Sequence, residues 1–166
     1  MRFKILTLSD RSHAGLCADR SGPLLRHLLE NGLEGGSCQE AMILPDDKNQ
    51  IACTLAAWCD SGDCDLIVTT GGTGLAFRDV TPEATREILE REIPGMAEAI
   101  RSRGLEETPH AMLSRGICGT RGRTLVVNLP GSPQAVEDSM EILLPAIRHA
   151  LDLLAGGSGR CQPDPG

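Results

Sequence analysis

The stretch Leu66-Ile67-Val68-Thr69-Thr70-Gly71-Gly72-Thr73-Gly74 limits what this chain can fold into more than any other. Three branched apolar residues without a polar alternation read as a strand buried on both faces, which calls for helices on either side of a sheet. A Gly-Gly-Thr-Gly turn follows, and Thr81-Pro82-Glu83 then announces a helix, with Thr81 as its N-cap and Pro82 in the first turn. A strand that runs into a glycine loop and then a helix is how α/β proteins hold phosphate, because glycine backbone can come close and its amides point at the anion. The loop is not a Walker A loop, since no Lys-Ser or Lys-Thr follows. Nor does its glycine spacing fit the dinucleotide fingerprint. Read alone, it is compatible with an ordinary tight turn as well.

The rest of the chain repeats the theme. Arg2 to Leu8 reads as a first strand, followed by a long polar loop holding Ser9, Asp10, Arg11, Gly15 and Asp19. Ser21 is placed to cap a helix whose apolar face is Leu24, Leu25, Leu28 and Leu29, ended by Gly32. Gln39 to Leu44 is a second strand, broken by Pro45-Asp46-Asp47. Ile51, Leu55 and Trp58 then mark a helix from Lys48 to about Cys59. After Thr81 a helix is expected to about Glu92, then a second piece from Met96 that ends at Gly104. Ser114–Gly119 and Thr124–Leu129 read as a hairpin around Thr120-Arg121-Gly122-Arg123. Pro130-Gly131-Ser132-Pro133 opens a last helix, in which Pro145 predicts a kink or break. The expectation is one α/β domain over 1–155, a three-layer sandwich of a mostly parallel sheet with helices on both faces plus a β-hairpin, and a flexible tail over 156–166. In such folds ligands bind beyond the carboxyl ends of the strands, so the glycine and aspartate loops should collect at one edge.

Two carboxylates stand out there. Asp47 with Gln50 makes a capping-box pattern, which leaves Asp46 either as a second favourable charge at the helix start or as a ligand. Asp79, just before Thr81, is either an idle loop residue or likewise a ligand. Carboxylates beside phosphate-binding amides commonly hold Mg²⁺, and in nucleotidyl transfer the protein mainly positions groups and neutralises charge. The histidines His13, His27, His110 and His149 are scattered, and none is paired with a nucleophile.

Composition removes other classes. Aromatic residues are 2% of the 166, too few for base-stacking nucleic-acid modules, and a net charge of −7 attracts neither nucleic acid nor anionic membrane. No apolar run approaches the ~20 residues that span a bilayer. The seven cysteines form no Cys-x-x-Cys pair, and with no secretory leader in view they suggest reduced thiols in a cytoplasmic protein.

Taken in order, Ser9-Asp10-Arg11 with Gly15, Pro45-Asp46, Thr70 to Gly74, Arg78-Asp79-Val80-Thr81-Pro82-Glu83-Ala84, Pro94-Gly95-Met96, Leu113-Ser114-Arg115 and Asn128-Leu129-Pro130-Gly131-Ser132 resemble the molybdopterin adenylyltransferases, the Mog/MoaB group. That group also includes domains of larger plant and animal molybdenum-cofactor proteins. The resemblance runs from the first strand to about Leu154. It departs at Phe77, where the family more often has proline, and in a short tail.

The resemblance implies molybdenum cofactor biosynthesis. The terminal phosphate of molybdopterin would attack the α-phosphate of Mg-ATP, giving adenylyl-molybdopterin and pyrophosphate. Asp46 and Asp79 would be catalytic and hold Mg²⁺. Ser9, Asp10, Thr70, Gly71, Gly72, Thr73, Gly74, Ser114, Arg115, Asn128, Pro130, Gly131 and Ser132 would line the substrate sites. It further implies a homotrimer and an exchange with the metal-insertion protein of the pathway. The alternatives are a non-catalytic molybdopterin-binding or scaffold protein of the same pathway and, more distantly, a nucleotide pyrophosphatase.

Overall fold

The structure, a computed structural model, describes residues 1–157; of the tail expected over 156–166, positions 158–166 lie outside the described residues. The elements in chain order are β1 (Arg2–Leu8), α1 (Asp10–His13), α2 (Ser21–Gly32), β2 (Ser37–Leu44), α3 (Lys48–Asp60), β3 (Leu66–Thr70), α4 (Thr81–Ile88), β4 (Arg91–Glu92), α5 (Pro94–Glu107), a 3-10 turn (Pro109–Leu113), β5 (Cys118–Arg121), β6 (Thr124–Leu129) and α6 (Pro133–Leu154).

The strands form one six-stranded sheet in the order β2-β1-β3-β6-β5-β4. β2, β1, β3 and β6 run parallel, and β5 pairs antiparallel with both β6 and β4. Alternation along each central strand splits the core in two. Phe3, Ile5, Leu66, Val68, Leu125 and Val127 face α2, α5 and α6, whose Leu25, Leu29, Ile100, Met140, Leu143 and Ile147 join them. Leu6, Leu8, Ile67 and Val126 face α3 and α4 with Ile51, Leu55, Trp58 and Ile88. Helices on both faces of a mostly parallel sheet make the expected three layers. No helix among the described residues is long and apolar enough to cross a membrane.

Several local expectations differ. α4 ends at Ile88 rather than near Glu92, because Arg91 and Glu92 pair with Thr120 and Gly119 as a short edge strand. The hairpin's first arm is Cys118–Arg121; Arg115 is drawn instead to the carbonyl of Thr73 by its amide (2.9 Å). α5 runs through Gly104, which has room for no Cβ because Ala111 of the 3-10 turn packs 2.8 Å from that point. α6 runs unbroken through Pro145, which lies on the solvent face where water can serve the carbonyl it leaves unpaired.

Candidate functional site

β1 connects through α2 to β2 on one side, whereas β3 leads by way of α4 and α5 toward β6 on the other. The switch point therefore lies between the carboxyl ends of β1 and β3, where a crevice is expected. Four strand ends meet there: Ser9-Asp10 after β1, Pro45-Asp46 after β2, Gly71 to Gly74 after β3 and Pro130 to Ser132 after β6.

The loops are tied to one another by side chains. Asp10 and Asp46 exchange bonds, the Asp10 amide donating to Asp46 Oδ2 and the Asp46 amide to Asp10 Oδ1, both at 3.0 Å. Arg78 grips Asp10 with two parallel bonds, Nε to Oδ2 at 2.9 Å and Nη2 to Oδ1 at 2.8 Å. The hydrogen bonds from Arg78, with one from the Asp46 amide, hold the Asp10 carboxyl below the usual carboxylate range. Asp46 moves the other way. Burial raises it, and the negative charges of Asp10 and Asp79 add to that against the bond from the Asp10 amide. Its Oδ1 is buried and meets no hydrogen-bond partner. That atom lies 2.9 Å from the point a Cβ at Gly72 would occupy.

The glycine loop needs its glycines at two positions. Gly71 has φ +101° and Gly72 φ +62°, a region closed to most side chains. A Cβ at Gly71 would overlap the Leu8 carbonyl, and one at Gly72 the Thr81 hydroxyl. Thr81 does not cap α4. Val80 stands at the N-cap without a side-chain bond, and the Thr81 hydroxyl donates to the Gly71 carbonyl at 3.0 Å while its amide donates to Gly72 O at 3.1 Å. The amides of Gly72, Thr73 and Gly74 donate to no protein group among the described residues. Three successive free amides form an anion-binding concavity. The neighbouring turn packs on this loop. Thr70 Oγ1 donates to Pro130 O at 2.7 Å, Ser21 Oγ to Gly131 O at 2.8 Å, and a Cβ at Gly131 would come 3.3 Å from Gly71 Cα. Ser21 is thus a tie between loops rather than the N-cap of α2, a position held by Arg20. Ser132 caps α6 by accepting from the Ala135 amide, and Ser9 caps α1 by accepting from that of Ser12.

Asp79 closes the other side. Its Oδ2 lies 2.8 Å from the point a Cβ at Gly74 would fill, and it also has a local task, accepting from the Ala76 amide at 2.8 Å. Both carboxylates therefore border the same glycine loop. Phe77 is 97% exposed at the tip of this segment, so the side chain standing in for proline takes no part in holding Asp79. That hold comes from Ala76 and from Arg115, which donates to Gly74 O (2.7 Å), Asp79 O (2.6 Å) and the Glu83 carboxylate. Arg115 thus braces the loop from behind. Asn128 likewise works from beneath: it is 1% exposed, donates to Thr69 and Thr85 Oγ1 at 3.0 Å and accepts from the Ile117 amide.

Beside the loop opens a cavity of about 390 Å³, walled by Thr73, Gly74, Pro130 and Ser132 at one end and by α5, the 3-10 turn with Ser114, and α6 elsewhere. Arg101 and Asp138 line it, and sequence reading did not single out either. Their positions on α5 and α6 carry no motif, and only the packing of two distant helices puts them on one cavity. No group of three or more His, Cys, Asp or Glu among the described residues is placed to hold a metal ion. A cation here would rest on two carboxylates and complete its shell from phosphate and water, which is how Mg²⁺ is commonly held. The partnerless Asp46 Oδ1 fits that demand.

Over residues 4–149 the chain matches the family described as "Probable molybdopterin binding domain". It is 39% identical over 152 residues to the molybdopterin adenylyltransferase of Helicobacter pylori strain J99, covering 92% of this chain and 86% of that protein. Against the molybdopterin adenylyltransferase of Escherichia coli K12 the identity is 38% over 141 residues, covering 85% and 72%. The crystal structure of the molybdopterin biosynthesis enzyme MoaB from Thermus thermophilus aligns with a TM-score of 0.86 at 48% identity, over 93% of this chain and 96% of that one. A family match over residues 4–149, such identity across most of the chain and the shared fold lead to one assignment: the chain belongs to the molybdopterin-binding domain family of molybdenum cofactor biosynthesis.

Proposed function

We propose that this protein is a molybdopterin adenylyltransferase. A terminal phosphate oxygen of molybdopterin attacks the α-phosphorus of ATP, the bond to the β,γ-phosphates breaks, and pyrophosphate leaves. The observation that carries the reading is the convergence of Asp46 and Asp79 on the glycine loop, with Asp46 Oδ1 buried and partnerless. The free amides of Gly72, Thr73 and Gly74 cradle phosphate oxygens. Asp46 and Asp79 would hold Mg²⁺, which when bound neutralises the triphosphate and its developing charge. Asp10, locked by Arg78, fixes the Asp46 loop; Thr81 and Arg115 fix the glycine loop and the Asp79 segment. Thr70, Pro130, Gly131 and Ser132 shape the floor between nucleotide and pterin, and Ser114 the cavity that takes the pterin. Trimeric assembly, transfer of product to the metal-insertion protein and a cytoplasmic location belong to the same reading and rest on the family.

One incubation tests it. Purified protein with ATP and Mg²⁺ releases pyrophosphate only when molybdopterin is added, and Asp46→Ala or Asp79→Ala abolishes release while the fold survives. A rate unchanged in both variants overturns the reading. A second reading, a carrier that binds molybdopterin without adenylylating it, draws support from the bond between Asp79 and Ala76, which already occupies one oxygen of the second carboxylate. It predicts pterin binding with no ATP-dependent product.

A further inference from the structure

Two carboxylates line the cavity, Glu107 and Asp138, and Asp138 is the buried one. It lies in the second turn of α6, is 9% exposed, and borders the cavity beside the glycine loop. Its Oδ1 accepts from Gln134 Nε2 at 3.1 Å and, at a long 3.4 Å, from Arg103 Nη2. Arg103 is mainly engaged elsewhere, with Glu106 at 2.8 Å and Glu107 at 3.3 Å. Asp138 Oδ2 accepts no hydrogen bond among the described residues. That oxygen opens onto the cavity, where a ligand's donors can replace the water it meets. The cavity walls are mainly apolar, among them Ile100, Ala111, Pro130 and Ala135, and of the polar side chains that also line it only Gln134 bonds to Asp138, at the other oxygen.

A pterin supplies what is missing. Its flat bicycle suits apolar walls. Its 2-amino-4-oxopyrimidine edge carries two donors side by side, the 2-amino N–H and the N3–H, which match the two oxygens of a carboxylate as a guanidinium does. The same cavity ends at Thr73 and Gly74, so a ring held at the Asp138 wall leaves its phosphate-bearing side chain at the amides of the glycine loop. Resting on the pterin reading above, we propose that Asp138 is the residue that selects the pterin ring by accepting from its 2-amino and N3 groups. Replacing the 2-amino group by a carbonyl, as in a lumazine, puts an acceptor against the carboxylate, and a site built for a donor rejects such an analogue strongly.

The test is a fluorescence titration of the full chain with 6-hydroxymethylpterin and with 6-hydroxymethyllumazine. The unaltered protein prefers the pterin by about tenfold or more, the scale of one charge-assisted hydrogen bond. Asp138→Asn brings the two affinities to within about threefold, and Asp138→Ser, which removes the carboxylate altogether, does the same. Arg103→Gln removes the cation that pairs with Asp138 and Glu107, does not itself line the cavity, and leaves the preference intact. The Kd for Mg-ATP stays unchanged in all variants. A preference that survives in Asp138→Asn, or is lost equally in Arg103→Gln, overturns the assignment. If the unaltered protein still releases pyrophosphate from molybdopterin and ATP in that case, only Asp138 is misassigned. If it binds neither ring and releases none, the pterin reading itself falls, and Asp138 with it.

Discussion

Replacing Asp46 by Asn separates stability from activity. The wild-type side chain keeps one oxygen bonded to the Asp10 amide and the other buried without a partner, close to two further carboxylates. A buried acceptor without a donor costs about 1–3 kcal/mol. Asparagine keeps an acceptor for the Asp10 amide but loses the charge assistance of that bond, roughly half its strength. Its NH2 replaces Oδ1 as a buried polar group, now uncharged, which ends the repulsion with Asp10 and Asp79. The terms nearly offset, so the variant is unchanged or more stable by about 1 kcal/mol at pH 7, a Tm rise of about 0–4 °C for a chain this long. Because burial raises the folded-state pKa of Asp46, the wild type's favourable contribution is present below the unfolded value and is lost as pH rises through the folded one. The advantage of Asn therefore appears at neutral pH and fades toward pH ~4, near the unfolded carboxylate value. Pyrophosphate release falls by about 10²-fold or more, the usual effect of removing one preorganised electrostatic group from a transfer site. Thermal melts at pH 4, 5.5 and 7.5, read beside initial rates, check both halves. A Tm loss above about 4 °C at pH 7.5, or a rate within threefold of wild type, refutes this account of Asp46.

Other substitutions test the scaffold. Gly71→Ala forces a Cβ into the Leu8 carbonyl at φ +101° and should cost more than about 2 kcal/mol, whereas Gly131→Ala meets only Gly71 Cα at 3.3 Å and should cost under about 1 kcal/mol; urea midpoints that fail to separate the two contradict this. Asn128→Val leaves the Ile117 amide without its acceptor and Thr69 and Thr85 without a shared donor, so a loss of about 2–4 kcal/mol in urea unfolding is expected. A loss under about 1 kcal/mol would mean that the pocket around Asn128 relaxes without it.

The central strand and its loop were legible because burial on both faces leaves no alternation at Leu66 to Val68, and only glycine suits Gly71 and Gly72. Asp46 was legible as a candidate because Asp47 already caps α3; Asp79 stood out for a like reason, a cap assigned to Thr81, that the structure does not bear out. At Thr81 propensity misleads. Threonine before Pro82 is a strong cap by type, yet its hydroxyl serves a carbonyl ten positions earlier, and a contact between loops leaves no local pattern. The family resemblance implies Arg115 and Asn128 as ligands. Here both have partners inside the protein, and the sequence carries no sign of which way they point. Pro145 does not break α6, because its position on the solvent face depends on how α6 packs, not on its neighbours.

The charges of the site dictate the form of nucleotide it can take. The chain carries a net charge of −7, and the cations nearest the loop are committed: Arg78 to Asp10, Arg115 to Glu83 and backbone, Lys48 to Glu87. On the proposed reading the free amides of the glycine loop meet the phosphates, and two carboxylates stand beside them. Metal-free ATP meets repulsion there that a bound divalent cation reverses, since Asp46 and Asp79 then become ligands. The wild type should accordingly bind ATP at least about tenfold more weakly in EDTA than in Mg²⁺, and in Asp46→Asn or Asp79→Asn the gap should narrow, as metal-free ATP gains and Mg-ATP loses. Acid has the same effect on the wild type, because Asp46 takes up its proton earlier than an ordinary carboxylate. Equal affinities with and without Mg²⁺ at pH 7.5 would mean that these two carboxylates do not face the triphosphate at all.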